Sequence, residues 1–69
     1  MNNGEFALLE LAIYIEETYI KDMTENLADP NTSRASQAKC RYEIAESKKK
    51  LKELNKQRKQ AIDSFEVKP

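Results

Sequence analysis

The stretch FALLELAIYIEETYIKDMTENL, Phe6 to Leu27, decides the fold. Its apolar residues Phe6, Leu9, Ile13, Ile20, Met23 and Leu27 recur in steps of three, four and seven, the spacing of one helix face. A second row, Leu8, Ala12, Ile15 and Tyr19, runs beside the first and makes the N-terminal half broadly apolar rather than a narrow seam. A face that wide has to be covered by something. The cover available within the chain is Ala35 to Phe65, whose heptad row reads Cys40, Ile44, Ser47, Leu51, Leu54, Arg58, Ala61 and Phe65, with Ile62 beside it. Ser47 and Arg58 interrupt that row, so the second stretch offers a thinner stripe than the first demands.

The boundaries follow from local chemistry. Asn2 stands three residues before Glu5, the spacing of a capping box, which starts the first helix near Asn3 or Gly4. Asp29-Pro30 stops it, because the residue before a proline is pushed out of the helical region. Either Asp29, with Pro30 as the first helical residue, or Ser33, after a five-residue loop, can cap the second helix, and Ser33 is the expected cap. The expected architecture is all-α: an antiparallel two-helix hairpin occupying residues 1–69 as one domain. It has a helix at about 4–28, a turn at 29–33, a helix at about 34–65 and a tail at 66–69. Counting outward from the turn places Leu27 against Ala35 to Ala38, Ile20 against Tyr42, Ile13 against Leu51 and Phe6 near Leu54 to Arg58. The second helix then overhangs by roughly two turns.

Sixty-nine residues, 39% hydrophobic and 35% charged, bound one small domain whose core supplies at most about 3–5 kcal/mol. Internal staples are missing from the composition. One cysteine, Cys40, cannot form an internal disulfide, and without histidine the usual zinc patterns do not arise. Support from self-association or from another protein is therefore expected. The start of the sequence lacks a basic signal-peptide region, and no apolar run approaches the roughly 20 residues that span a bilayer, so a soluble, cytoplasmic protein with Cys40 reduced is expected. The sequon Asn31-Thr32-Ser33 would matter only in a secreted protein.

The formal charge of zero conceals a separation. Residues 1–30 hold seven acids against one base, and residues 31–69 hold eleven bases against five acids, giving −6 and +6. Helices of opposite charge attract when folded back on each other, which favours the hairpin over like-with-like pairing.

Several features invite a chemical reading and a plainer one. Lys48, Lys49, Lys50, Lys52, Lys56, Arg58 and Lys59 suggest phosphate contacts. Glu46 and Glu53 lie three or four positions from several of these lysines, however, and no aromatic interleaves them, as a solvated coiled-coil exterior would have it. Nucleic acid is thus not the expected partner. Glu16, Glu17, Asp22 and Glu25 are spread around their helix rather than converging, so no metal or cofactor site and no enzymatic centre is expected. Glu16 alone takes a seam position, between Ile13 and Ile20. Cys40 near the seam reads as a small hydrophobe rather than a nucleophile. Tyr14, Tyr19 and Tyr42 suit partly buried positions, and Tyr19 and Tyr42 can meet across the hairpin. The acidic polar face of the first helix argues against a membrane surface.

The length and helical build resemble two groups of small proteins, and the Asp29-Pro30 turn resembles the first of them. One is the needle-subunit co-chaperones of type III secretion, which lend a hairpin to a larger chaperone. The other, which the chain resembles more, is the small helical early-region proteins of lambdoid phages. That resemblance implies a cytosolic regulator or adaptor acting on phage or host development. The composite expectation is a non-enzymatic interaction module that pairs with itself in a dimeric four-helix bundle, with another protein, or both. Leu8, Ile15, Tyr19, Ile62 and Phe65 are its candidate partner-binding residues.

Overall fold

The structure is a computed structural model that describes residues 2–65. Two helices, α1 (Asn3–Ala28) and α2 (Arg34–Phe65), fold back on each other as a hairpin, and no strand occurs among the described residues. The hairpin is a rod, 57 × 16 × 13 Å, with a radius of gyration of 16.0 Å. A compact domain of this length would have a radius of about 11 Å. The rod shape limits how much of either helix the other can cover.

Three of the four helix ends have an identifiable cause. Asn2 caps α1: its Oδ1 accepts from the Glu5 backbone N–H at 2.8 Å, and its side-chain amide donates to the Glu5 carboxylate at 3.3 Å. Asp29, held extended at φ −70 and ψ 121 before Pro30, terminates α1. The turn is then locked by short-range bonds. Asn31 N–H donates to Asp29 Oδ1 at 2.9 Å, Thr32 N–H to the Asp29 carbonyl at 3.1 Å, and Thr32 Oγ1 to the Asn26 carbonyl at 2.7 Å. Ser33, the expected cap, caps α2 by accepting from the Ser36 N–H at 3.2 Å.

The seam forms where the apolar spacing places it. On α1, Leu9 and Ile13 are buried, while Phe6, Glu16, Ile20, Met23 and Leu27 are half-buried in the same row. On α2 the buried residues are Cys40, Ser47 and Ala61, and Ile44, Leu51, Leu54 and Arg58 are half-buried between them. Ser47, which the sequence reading treats as a weak point, is the most covered polar residue, at 4% exposure. The buried residues of α2, Cys40, Ser47 and Ala61, are small, so a thin row on α2 packs closely against the bulkier row of α1. Arg58 keeps its seam position by turning its guanidinium outward, where Nε donates to Glu10 Oε2 at 3.3 Å. Both side chains of that pair stay roughly half exposed, so it contributes little to stability.

Two expected pairings are corrected. Phe6 does not lie near Leu54 to Arg58; it stacks on Phe65, with ring centroids 5.4 Å apart and planes at 14°. Tyr19 meets Glu43 rather than Tyr42, which is 65% exposed. Side chains on a helix tilt toward its N-terminus. Phe65 and Arg58 on α2 therefore reach back toward the turn, which a residue-by-residue count along the axes misses. α2, at 32 residues against 26, outruns α1 as expected, and at the open end its Phe65 closes on Phe6 as an aromatic clasp. The expected tail at 66–69 lies outside the described residues.

Close packing around the small seam residues has a measurable consequence. Ala61→Leu, at a site 5% exposed, should destabilise the hairpin by about 1–3 kcal/mol through overpacking. Ala38→Leu, on the exposed side of α2, should leave the urea midpoint nearly unchanged.

Candidate interaction surface

With the inner row of α1 assigned to the hairpin, the rest of that helix can be read as a surface. Leu8 is 68% exposed, Leu11 52%, Tyr14 64% and Ile15 54%. Leu8, Leu11, Ile15 and Thr18 follow one another in steps of three and four, so they form a second heptad row on the side away from α2. Tyr14 flanks this row on one side, and Ala12 and Tyr19 flank it on the other. From Ala7 to Tyr19 that outer side carries no charge. The acids of the same stretch occupy other positions: Glu16 in the seam, and Glu10 and Glu17 on the flank that meets Arg58.

Tyr19 marks the junction between the outer row and the hairpin. It is 36% exposed, and its hydroxyl donates to Glu43 Oε2 at 3.0 Å. The hydrogen bond to Glu43, followed by partial desolvation and the nearby carboxylate charge, raises the Tyr19 phenol above its ordinary value of 10.0. Beside it, at the turn end, lies an open cleft of about 530 Å³ lined by Tyr19, Met23, Asn26, Thr32, Ser36 and Cys40 among others. Lys39 is its one charged lining group. No group of three or more acids or cysteines among the described residues is arranged to hold a metal ion, and no described helix is long and apolar enough to cross a membrane.

The five residues singled out from the sequence fall in two places. Leu8 and Ile15 lie on the outer row, with Tyr19 at its edge. Ile62 and Phe65 belong to the open end, where Ile62 is half-buried beside Ala61 and Phe65 is clasped against Phe6 while remaining 47% exposed. The two groups therefore form no single patch. Leu11 and Tyr14 belong with Leu8 and Ile15; the sequence reading passes over Leu11 and takes Tyr14 for a partly buried position, whereas it is 64% exposed. The three-four spacing from Leu8 to Thr18 was the available signal, masked by the stronger row one position away.

No known protein family, curated protein or solved structure matches this chain.

The Tyr19–Glu43 bond can be tested by titration. A phenol raised in the folded state stabilises the fold below its unfolded value near 10.0 and loses that contribution as pH climbs through the raised folded value. NMR titration of Tyr19 should give a midpoint above 10.0 that falls back in Glu43→Ala. An unchanged midpoint would remove the bond from solution.

Proposed function

We propose that this chain is a protein–protein interaction module, a small regulator or adaptor that works by presenting the outer side of α1 to a helical surface. The observation that carries this reading is the uncharged outer row, with Leu8, Leu11, Tyr14 and Ile15 each more than half exposed. Together with Tyr19 they leave open an apolar area on the order of 500 Å², at the upper end of what soluble monomers expose and typical of association sites. The small seam points the same way. Among the described residues the buried hydrophobic ones are Leu9, Ile13, Cys40 and Ala61, and no side chain falls below 2% exposure, so burial elsewhere would add substantially to stability.

In this proposal the hairpin self-associates as a dimeric four-helix bundle in the cytoplasm and engages a further protein, with Phe65 and Ile62 extending the contact at the open end. The resemblance to small phage early proteins supports a regulatory role in phage or host development. A co-chaperone role beside a secretion chaperone would use the same outer row. The alternative of a nucleic-acid-binding regulator rests on exposed Lys49, Lys52, Lys56 and Lys59. Glu46 pairs with Lys49 at 3.5 Å, however, and the alternating charge favours solvated side chains over a phosphate track.

Ile15→Lys is the discriminating variant. It should keep the helical circular dichroism of the parent and weaken association by roughly tenfold or more in sedimentation equilibrium, since it places a charge at the centre of the interface. Equal loss of helicity and assembly would make Ile15 part of the hairpin core. If reversing Lys49, Lys52 and Lys56 instead abolishes a salt-sensitive binding to DNA or RNA, the nucleic-acid reading replaces this one.

A further inference from the structure

The outer row of α1 becomes acidic toward the turn: after Leu8, Leu11, Ile15 and Thr18 the same spacing continues as Asp22 and Glu25. The outer side of α2 carries a row on the same plan. Ala35, Ala38, Tyr42 and Ala45 are exposed along it, and the spacing continues as Lys49 and Lys52. Each member of this row stands 27 positions after its counterpart on α1, so the two rows keep step through four uncharged levels and then two of opposite charge. Within one hairpin they cannot meet, because both lie on sides turned away from the seam.

We infer that the outer row of α1 docks on the outer row of α2 of a second copy, with the two helices parallel. The inference rests on the interaction reading above and names its partner. In this register Leu8 and Leu11 lie level with Ala35 and Ala38, Ile15 with Tyr42, and Thr18 with Ala45. Leucines on α1 thus meet alanines on α2, a bulky row against a thinner one, as in the seam of the hairpin itself. Asp22 and Glu25 fall level with Lys49 and Lys52. Lys49 is held only by its exposed pair with Glu46 at 3.5 Å, an interaction weak enough to be exchanged.

Charge decides among the arrangements open to a second copy. Placing α1 on α1 joins two halves of −6, and placing α2 on α2 joins two halves of +6, so both are opposed. Antiparallel docking of α1 on α2 brings opposite halves together, but it sets the lysines against Leu8 and Leu11 and the acids against alanines, which leaves charges at the contact without partners. Parallel docking matches apolar with apolar and acid with base at every level. The contact is heterologous, since it uses a different row on each copy. Two copies joined this way bring four helices together and leave one row of each kind free. The four-helix dimer is then the smallest assembly, and further copies add as concentration rises.

The experiment uses the full chain with Cys40→Ala, so that only introduced thiols react. Leu11→Cys is equilibrated in a glutathione buffer with Ala38→Cys and, separately, with Lys52→Cys. Parallel docking predicts the mixed disulfide of Leu11→Cys with Ala38→Cys at least several-fold in excess of the Leu11→Cys homodisulfide. Lys52 lies about 21 Å further along α2 than Ala38, so its cysteine variant should give almost no mixed product. Predominant Leu11→Cys homodisulfide would put α1 on α1, and predominant coupling to Lys52→Cys would make the contact antiparallel; either overturns the inference. A monomer at all concentrations in sedimentation would also overturn it while leaving the outer row available to another protein. The two claims therefore fail separately. A charge exchange in the Cys40 parent guards against thiol artefacts. Asp22→Lys with Glu25→Lys, and Lys49→Glu with Lys52→Glu, should each weaken self-association by roughly fivefold or more. Mixing the two variants in equal amounts should restore it, because the unaltered α1 of one then meets the unaltered α2 of the other. A mixture as weak as its components would contradict the proposal.

Discussion

α1 is apolar on two sides, and one α2 can cover only one of them. The rest of the molecule follows from that constraint. A single helix laid antiparallel on another shields one stripe of it, and here the stripe is the row from Phe6 to Leu27, with Leu9 and Ile13 at its buried centre. The opposite row, Leu8, Leu11 and Ile15, remains in water. In a globular fold a third element would lie over it. In a rod 57 Å long and 16 Å wide there is no such element within the described residues.

How the hairpin stays closed with so little buried surface is answered by its two ends. At the turn, Asp29 N–H and Thr32 Oγ1 donate to the Asn26 carbonyl near the end of α1 and Ser33 Oγ accepts from the Ser36 N–H of α2, which fixes where the second helix departs. At the open end the Phe6–Phe65 stack joins the two helices far from the turn in sequence. Between them the small residues Cys40, Ser47 and Ala61 accept bulk from α1. Charge has a different part. The halves carry −6 and +6, yet among the described residues the one ion pair joining the helices is the half-exposed Glu10–Arg58. The charge separation therefore biases the helices toward antiparallel approach over a distance rather than locking them by pairs.

The hairpin itself was legible in the sequence because three of its boundaries had a local cause, a capping asparagine, an Asp-Pro stop and a serine cap, and because two heptad rows lay between them. The register was less legible. Spacing gives the face of a helix on which a residue lies, but not how far a long side chain leans along the axis: Phe6 and Tyr19 found partners other than those expected, and Phe65, expected to be left over, found Phe6. Ser47 was undervalued for a related reason. Polarity suggested a weak point, whereas size mattered more in a tight seam. On the outer side, Leu8 and Ile15 were recognisable as surplus, but Leu11 and Tyr14 became part of the same surface only once the inner row was fixed. Spacing alone could not show which of two overlapping rows faces α2.

The central claim, that the outer side of α1 is covered by association, is tested most directly by following the thermal unfolding midpoint as protein concentration is varied over about three orders of magnitude. Coupling of folding to association predicts a midpoint that rises steadily with concentration, because mass action favours the assembled state. A midpoint independent of concentration, with an unchanged cooperative transition, would show that the hairpin is self-sufficient and would contradict the account.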